Sequence, residues 1–347
     1  MKILRPYVNE IRVAGAYNTN SPLLKELKRL YDVTEIVVPA DMPGEEFAQI
    51  LREYDVVLTM WGSKQIPPEL GTNPGNLKYV CNITGSLKRY VPQEIIDSPY
   101  IQVTNWGDAP AFEIAEGAFS LMMTMLKDIP YFIDCARKNL DRPGTDTRRV
   151  GTLHNTRVGI YGVGSIGRKF IEMLRPFMPE IYAFDPYVSQ EQMPEGVTKV
   201  NTMEELFSKS QILVVHAGLC EETKGSIKKE HLALLPDGAL FINTARGGIV
   251  EESALIAEIM SGRIRAGLDV MDTSLNPTNG DMPGIDDPVR QVNNAVFSGH
   301  HIGGGSWGSD PEALSFAALN CLENIRRFSC GEPLKFVMDA DRYKLST

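Results

Sequence analysis

The chain has 347 residues, of which 43% are hydrophobic and 23% charged, and its formal net charge is −9 at neutral pH. This composition is typical of a folded protein of about two domains, and the negative charge argues against a nucleic-acid-binding surface. The longest apolar stretch, residues 115–126, is too short to span a bilayer, and the N-terminus lacks the apolar core of a signal peptide. We therefore expect a cytoplasmic protein that binds neither nucleic acid nor membrane.

The first part of the chain alternates short apolar runs with segments of helical spacing. The runs MKILRPY, VTEIVVP, YDVVLTMW, LKYVCNI and YIQVTNW predict strands, and SPLLKELKRLY and GEEFAQILREY predict helices between them. This alternation favours a parallel sheet with helices on both faces. A single long helix is predicted over residues 111–139. The five cysteines lack C-x-x-C spacing, so we expect neither disulfides nor a metal site.

Residues 157–185 then form a strand, a glycine-spaced turn, a helix and a second strand that ends in an acid. Gly162 permits a tight turn, Gly164 permits close approach of a pyrophosphate, and Gly167 permits close packing of the helix on the strand. This spacing is typical of a dinucleotide-binding unit. The register of all five features makes it stronger evidence than the three glycines alone.

The phosphates of a dinucleotide are expected on free N–H groups at the helix N-terminus, near Ser165 and Ile166. Asp185 lies where a carboxylate accepts hydrogen bonds from the adenosine ribose, and its charge repels a 2′-phosphate. We therefore predict NAD as the cofactor in preference to NADP. Further along the chain, QILVVHA, GALFINTA, RIRAGLDV and NAVFSGH predict the strands of a second doubly wound sheet, and residues 311–331 predict a C-terminal helix.

The segments VVHAGLCEETKGSI, INTARGGIVEESALIAEIMSGRIRAGLDV and HIGGGS resemble the D-isomer-specific 2-hydroxyacid dehydrogenases over essentially the whole chain. The resemblance implies an α/β fold with two doubly wound domains, in which a Rossmann NAD-binding domain is inserted into a discontinuous flavodoxin-like substrate domain. The substrate domain is expected at residues 1–115 and 308–347, and the NAD-binding domain at residues 116–307. The resemblance also implies a homodimer, a small 2-hydroxy or 2-keto acid as substrate, and an active site between the domains.

The same resemblance implies roles for single residues. Arg246 offers a planar fork to a substrate carboxylate and can polarise the adjacent carbonyl group. Ala245 and His216 are expected to line the cofactor pocket, and His216 is expected to shape it rather than to transfer protons. Asp269 corresponds to an acid that contacts the nicotinamide carboxamide, although an aspartate here can also cap a turn.

Two adjacent histidines compete for the acid–base role. The match of HIGGGS to the family favours His301, whereas counting from the strand NAVFSG selects His300. Histidine suits this role because its unperturbed pKa of about 6.5 lies near working pH. From the sequence we therefore prefer His301 as the acid–base residue.

The glutamate that pairs with the catalytic histidine in relatives is missing, and Ser274 stands in its place. The connecting segment is longer than usual and carries other acids. Either the histidine works without a carboxylate, or one of these acids reaches it: Asp272, Asp281, Asp286 or Asp287.

Substrate recognition is expected in the loop after the strand LKYV, where backbone N–H groups of Thr84, Gly85 and Ser86 can cradle a carboxylate. Other candidates are Lys88 and Arg89 for a second anionic group, and Trp61 and Trp106 as pocket walls, although surface or core roles are ordinary for all four. The predicted activity is interconversion of a 2-keto acid and a D-2-hydroxy acid with NAD. The alternative is a corepressor-like protein that senses NAD(H) with little dehydrogenase activity.

Overall fold

The computed structural model describes residues 1–8, 21–85, 87–138, 150–272, 281–302 and 314–345. The chain divides into two compact units, one formed by residues 1–110 and 306–347 and the other by residues 111–305. None of the helices in the described ranges is both long and apolar enough to cross a membrane.

The first unit contains a parallel five-stranded sheet with the strand order β2-β1-β3-β4-β5. This is the flavodoxin-like order of a doubly wound sheet. Each strand coincides with one of the five predicted runs, and the second strand begins one residue before its run. The elements are β1 (Lys2–Tyr7), α1 (Pro22–Leu30), β2 (Asp32–Val37), α2 (Gly44–Leu51), β3 (Val56–Thr59), β4 (Tyr79–Asn82), α3 (Gln93–Ile96) and β5 (Gln102–Thr104).

The sequence shows why α1 begins where it does. The Ser21 side chain accepts a hydrogen bond from the backbone N–H of Leu24 at 3.4 Å, and Pro22 occupies the first helical position. Leu23, Leu24 and Leu27 are buried, so the helix packs its apolar face on the sheet core.

The second unit contains a parallel seven-stranded sheet with the strand order β12-β11-β10-β9-β6-β7-β8. This is the Rossmann order extended by one strand, which confirms the predicted fold class. The elements are α4 (Ala111–Leu126), α5 (Ile129–Arg137), β6 (Arg157–Tyr161), α6 (Ser165–Leu174), β7 (Glu180–Phe184), β8 (Val197–Lys199), α7 (Met203–Lys209), β9 (Ile212–Val215), α8 (Lys229–Leu234), β10 (Leu240–Asn243), α9 (Glu252–Met260), β11 (Arg265–Leu268) and β12 (Ala295–Phe297).

The prediction of one helix over residues 111–139 was wrong, because the chain breaks between α4 and α5. Asp128 adopts a left-handed conformation with φ of 54°, and Pro130 occupies the first turn of α5. The break is held from β11, since Arg265 Nη1 donates to the Met125 carbonyl at 2.9 Å and lies 3.7 Å from Asp128 Oδ1. The helical spacing of apolar residues continues across the break, and for that reason the sequence showed no sign of two separate helices.

The C-terminal segment returns to the first unit. It contains α10 (Phe316–Ser329), which lies within the predicted helix, and α11 (Ala340–Leu345). Ala318, Cys321 and Ile325 of α10 belong to the same buried cluster as the apolar residues of α1 and β4. A single antiparallel bridge joins Thr104 at the end of β5 to Val337. The two ends of the chain therefore share one core.

Candidate functional site

The glycine turn lies between β6 and α6, and its three glycines meet different constraints. Gly162 has φ of 95°, and a methyl group there would lie 2.6 Å from the backbone nitrogen of Ala217. A methyl group on Gly167 would lie 2.3 Å from the Gly162 carbonyl oxygen. Gly164 differs, since apart from its chain neighbours no atom of the described residues lies within 4 Å of that position. Gly162 and Gly167 thus permit close packing of the backbone, and Gly164 leaves space before the helix N-terminus.

Asp185 follows β7 and is tied to this turn. Its Oδ2 accepts a hydrogen bond from the backbone N–H of Val163 at 2.8 Å, and its Oδ1 accepts one from Tyr187 at 2.9 Å. A carboxylate has about four acceptor positions, so capacity for ribose hydroxyl groups remains. The acid is therefore held in place beside the glycine turn.

Two buried polar atoms lie at the carboxyl ends of β9 and β10. Within the described part of the chain, His216 Nε2 and Thr244 Oγ1 have no hydrogen-bond partner. The residues before them, Val215 and Asn243, are paired in the sheet register. Buried polar groups are normally satisfied, so a ligand with polar groups is expected at this edge. Thr244 was not among the predicted site residues.

Burial lowers the pKa of His216 to about 3. Its imidazole is therefore neutral at physiological pH and packs on Phe170, with ring centroids 5.0 Å apart. This environment supports a role in shaping the pocket and argues against acid–base work at neutral pH.

A dinucleotide fits these features. The switch point of the strand order lies between β6 and β9, where doubly wound folds bind nucleotides. The open Gly164 position and the N-terminus of α6, which begins at Ser165 and Ile166, would hold the pyrophosphate, and Asp185 would hold the ribose. His216 and Thr244 would face the remaining polar groups of the ligand.

Arg246 follows β10 and is held by its neighbours. The Asn243 side chain accepts a hydrogen bond from the Ala245 N–H at 3.0 Å and donates one to the Arg246 carbonyl at 3.1 Å. Arg246 Nη1 donates to the Ala245 carbonyl at 2.7 Å. Burial lowers the pKa of Arg246, and the carboxylate of Asp281 opposes that shift. A half-buried cation thus lies at the same sheet edge as the glycine turn.

The glycine after Arg246 permits close approach of the end of β11. A methyl group on Gly247 would lie 1.9 Å from the backbone carbonyl carbon of Met271, whereas the nearest atom to one on Gly248, among the residues that the structure describes, would be Leu219 Cδ2 at 3.6 Å. We expect Gly247→Ala to lower the free energy of unfolding by about 1–3 kcal/mol or more, because backbone atoms must move. Gly248→Ala is the matched control, and urea denaturation of both variants measures the difference. Equal stability of the two would contradict this account of the contact.

Asp269, at the end of β11, organises the turn that carries the two histidines. Its Oδ1 accepts hydrogen bonds from Ser298 Oγ at 2.6 Å and from the N–H groups of His301 at 3.0 Å and Ile302 at 3.1 Å. Its backbone carbonyl accepts one from the His300 N–H at 2.6 Å. Asp269 therefore caps this turn, as one of the two sequence-based interpretations expects. Ser298 was not among the predicted site residues, although its position at the end of the predicted strand NAVFSGH made it a candidate.

The structure places the two histidines in different surroundings. His300 Nδ1 lies 3.6 Å from Asp281 Oδ2, whereas His301 Nδ1 lies 3.0 Å from the Ser298 carbonyl oxygen. Both side chains are exposed. The backbone N–H of Asp272 donates to Glu252 Oε2 at 2.6 Å. Ser274, which replaces the family glutamate, lies outside the described residues.

In the first unit, the predicted substrate loop follows β4. Asn82 Nδ2 donates to the Thr84 carbonyl at 2.6 Å, and Asn82 Oδ1 accepts from Thr59 Oγ1 at 2.9 Å. Asn105 Nδ2 donates to the Gly85 carbonyl at 3.3 Å. Side chains from the ends of three adjacent strands therefore fix this loop. Ser86 lies outside the described residues.

The two tryptophans lie at the same sheet edge. A methyl group on Gly85 would lie 2.5 Å from the Trp106 ring, so the indole lies directly against the loop backbone. Trp61 packs edge-on against Trp106 at 5.9 Å and is 51% exposed. Lys88 is engaged elsewhere, since its ammonium donates to the Lys344 carbonyl at 2.9 Å. Arg89 is exposed.

Comparison with known proteins gives a consistent family. Residues 119–302, more than half of the chain, match the D-isomer specific 2-hydroxyacid dehydrogenase, NAD binding domain. The chain is 27% identical over 310 residues, 88% of its length, to a D-3-phosphoglycerate dehydrogenase of Methanocaldococcus jannaschii, of which it covers 56%. It is 28% identical over 260 residues to a hydroxypyruvate reductase of Thermotoga maritima, with 74% of this chain and 82% of that protein covered.

The chain spans about half the length of the phosphoglycerate dehydrogenases that it matches. Its structure is similar, with a TM-score of 0.71 and 26% identity, to a D-isomer specific 2-hydroxyacid dehydrogenase from Xanthobacter autotrophicus Py2 in complex with NADPH and MES, with 98% of each chain covered. The family model covers most of the second unit, and the similarity to the solved structure extends over nearly the whole chain. The chain therefore belongs to the D-isomer specific 2-hydroxyacid dehydrogenase family, whose members are NAD(P)-dependent oxidoreductases.

Proposed function

We propose that this chain interconverts a 2-keto acid and a D-2-hydroxy acid with NAD as the redox partner. The proposal rests on the groups gathered at the carboxyl ends of the strands in the seven-stranded sheet. There the glycine turn, the half-buried Arg246 and the turn with His300 and His301 follow strands of the same parallel sheet. Fold alone does not assign an activity, but this set of side chains supplies the groups that keto-acid reduction needs.

The chemistry follows from these groups. The glycine turn and Asp185 would hold NADH, which when bound would supply the hydride that converts the keto acid to the hydroxy acid and leaves NAD⁺. Arg246 binds the substrate carboxylate and polarises the carbonyl group, which favours the charge that develops on its oxygen. A protonated histidine donates a proton to that oxygen, and the same histidine in its neutral form accepts the proton in the oxidation direction.

Substrate selection is assigned to the loop of the first unit. The backbone N–H groups of Thr84, Gly85 and Ser86 are proposed to contact the substrate, and the loop is held by Asn82 and Asn105. A fixed loop supports catalysis because even a small displacement of the substrate from the reactive geometry lowers the reaction rate. Asp269 and Ala245 are proposed to contact the nicotinamide end of the cofactor.

NADH is expected to bind at least tenfold more tightly than NADPH, which corresponds to about 1.4 kcal/mol. The reason is the Asp185 carboxylate, which is already fixed beside the glycine turn and repels a 2′-phosphate. Asp185→Asn should bring the affinities for NADH and NADPH closer together, since it removes the negative charge and keeps an acceptor for the Val163 N–H. The exposed Asp41→Asn is the control. Fluorescence titration with both nucleotides measures the ratio, and tighter binding of NADPH to the parent chain would refute the assignment.

The activity itself is tested by NADH oxidation with a panel of 2-keto acids, including phosphorylated and sugar-derived members. Turnover with at least one member, dependent on its concentration, is expected. Saturable NADH binding without turnover on any member would instead support the NAD(H)-sensing, corepressor-like alternative. The same assay identifies the substituent at C2.

The domain roles and the assembly are also proposed. Residues 116–307 are assigned as the NAD-binding domain, and residues 1–115 with 308–347 as the substrate domain. A cytoplasmic homodimer is expected, and light scattering coupled to size exclusion measures the subunit number.

A further inference from the structure

Asp281 lies where three elements of the second unit meet. Its Oδ1 accepts a hydrogen bond from the Met271 N–H at 3.2 Å, just beyond the end of β11. Its Oδ2 lies 3.6 Å from His300 Nδ1, and the carboxylate also interacts electrostatically with the Arg246 guanidinium. The side chain is 24% exposed, so the carboxylate is mostly removed from solvent. One anchored anion therefore lies within ion-pair distance of an imidazole and exerts an electrostatic effect on a nearby cation.

The backbone of His300 is a second, independent observation. Its φ of 62° lies in the left-handed region, which is uncommon for residues other than glycine. The conformation is maintained by the hydrogen bond from the His300 N–H to the Asp269 carbonyl and by the bonds from the next two residues to the Asp269 carboxylate. Backbone strain of this kind persists only where the surroundings fix it, and it is concentrated at functional sites.

His301 has different neighbours. Its Nδ1 contacts the Ser298 carbonyl oxygen, which is uncharged. Within the described ranges, no carboxylate lies within ion-pair distance of its ring. Of the two histidines, His300 is therefore the one whose ring nitrogen lies within ion-pair distance of a carboxylate.

We propose that Asp281 replaces the missing glutamate as the carboxylate partner of the acid–base histidine, and that this histidine is His300. Asp281 is a positioning residue, since it acts through the imidazole and not on the substrate. Its carboxylate holds Nδ1 and leaves Nε2 to exchange the proton with the substrate oxygen. The inference rests on the proposed function and departs from the sequence-based preference for His301.

The direct test is the tautomer of the neutral His300 ring, measured from ¹⁵N NMR shifts, which needs no substrate. The chain has five histidines, and the His300 signals are assigned by their loss in His300→Gln. In the parent chain the neutral ring should carry its proton on Nδ1, and in Asp281→Ala the ratio of the two tautomers should shift toward Nε2 by about threefold, the effect of losing one modest charged partner. The control is the exposed Asp286→Ala, which should leave the ratio unchanged. A proton on Nε2 in the parent chain, or an equal change in both variants, would overturn the pairing.

Steady-state kinetics give a second readout. Asp281→Ala should lower kcat for reduction of the keto acid and leave KM and the affinity for NADH nearly unchanged, because Asp281 acts on the orientation of the imidazole. A merely structural role would weaken NADH binding as well, and that result would overturn the proposal. If Asp281→Ala does not fold, or if the parent chain lacks dehydrogenase activity, the tautomer of His300 in the parent chain still decides the pairing.

Discussion

Replacing Arg246 with lysine is expected to reduce kcat/KM for the keto acid by about 10²–10³, the usual cost of losing one donor to a developing oxyanion. Lysine keeps the charge but lacks the planar fork that holds a carboxylate in two-point contact. Arg246 is well suited to that contact because Asn243 fixes its backbone and its guanidinium is half-buried. Binding of NADH should change little, so the loss should appear in steady-state kinetics and not in nucleotide titration.

The control for Arg246→Lys is Arg137→Lys, an exposed position at the end of α5. Full activity of Arg137→Lys together with a large loss in Arg246→Lys assigns the effect to the site. If Arg246→Lys retained the activity of the parent chain, the proposed carboxylate contact would be wrong.

Replacing His300 with alanine is expected to lower turnover by about 10²–10⁴, the typical contribution of a positioned general acid or base. His301→Ala should cost much less, because its ring contacts a backbone carbonyl and its N–H contact with Asp269 is retained by any residue except proline. NADH binding should persist in both variants. Single-turnover kinetics separate the chemical step from product release.

The two histidine variants control each other, because they are adjacent and carry the same change. A large loss in His301→Ala with little effect in His300→Ala would restore the sequence-based assignment to His301. Large losses in both, with NADH binding intact, would show that the turn as a whole is required and that the proposed selection by Asp281 is incomplete.

Much of the fold was predictable because its signals are local. The apolar runs predicted every strand of the first unit, and the glycine turn with Asp185 lies where its spacing placed it. Such features follow from the period of apolar residues and from glycines that only one packing accommodates. The break between α4 and α5 was not predicted, because the apolar spacing continues across it and the contact that fixes it comes from Arg265 in β11.

The candidate site was predictable in its composition but not in its geometry. Motif spacing marked Arg246 and both histidines, yet the choice between the histidines depends on which carboxylate the chain brings near them. Asp281 is 19 positions before His300, in a segment without periodic pattern, and only its contacts with Met271 and His300 distinguish it from the exposed Asp286. The unpaired buried atom of Thr244 is likewise a property of packing and has no sequence signal.

The most direct test of the central claim is oxidation of a 2-hydroxy acid by the parent chain with NAD⁺. The substrate is the hydroxy acid whose keto form supports NADH oxidation, and its D and L enantiomers are assayed separately. The absorbance of NADH should appear with the D enantiomer and be absent with the L enantiomer, and Arg246→Lys should abolish most of the rate. NADH formation from the L enantiomer, or from neither enantiomer while NAD⁺ binds, would contradict it.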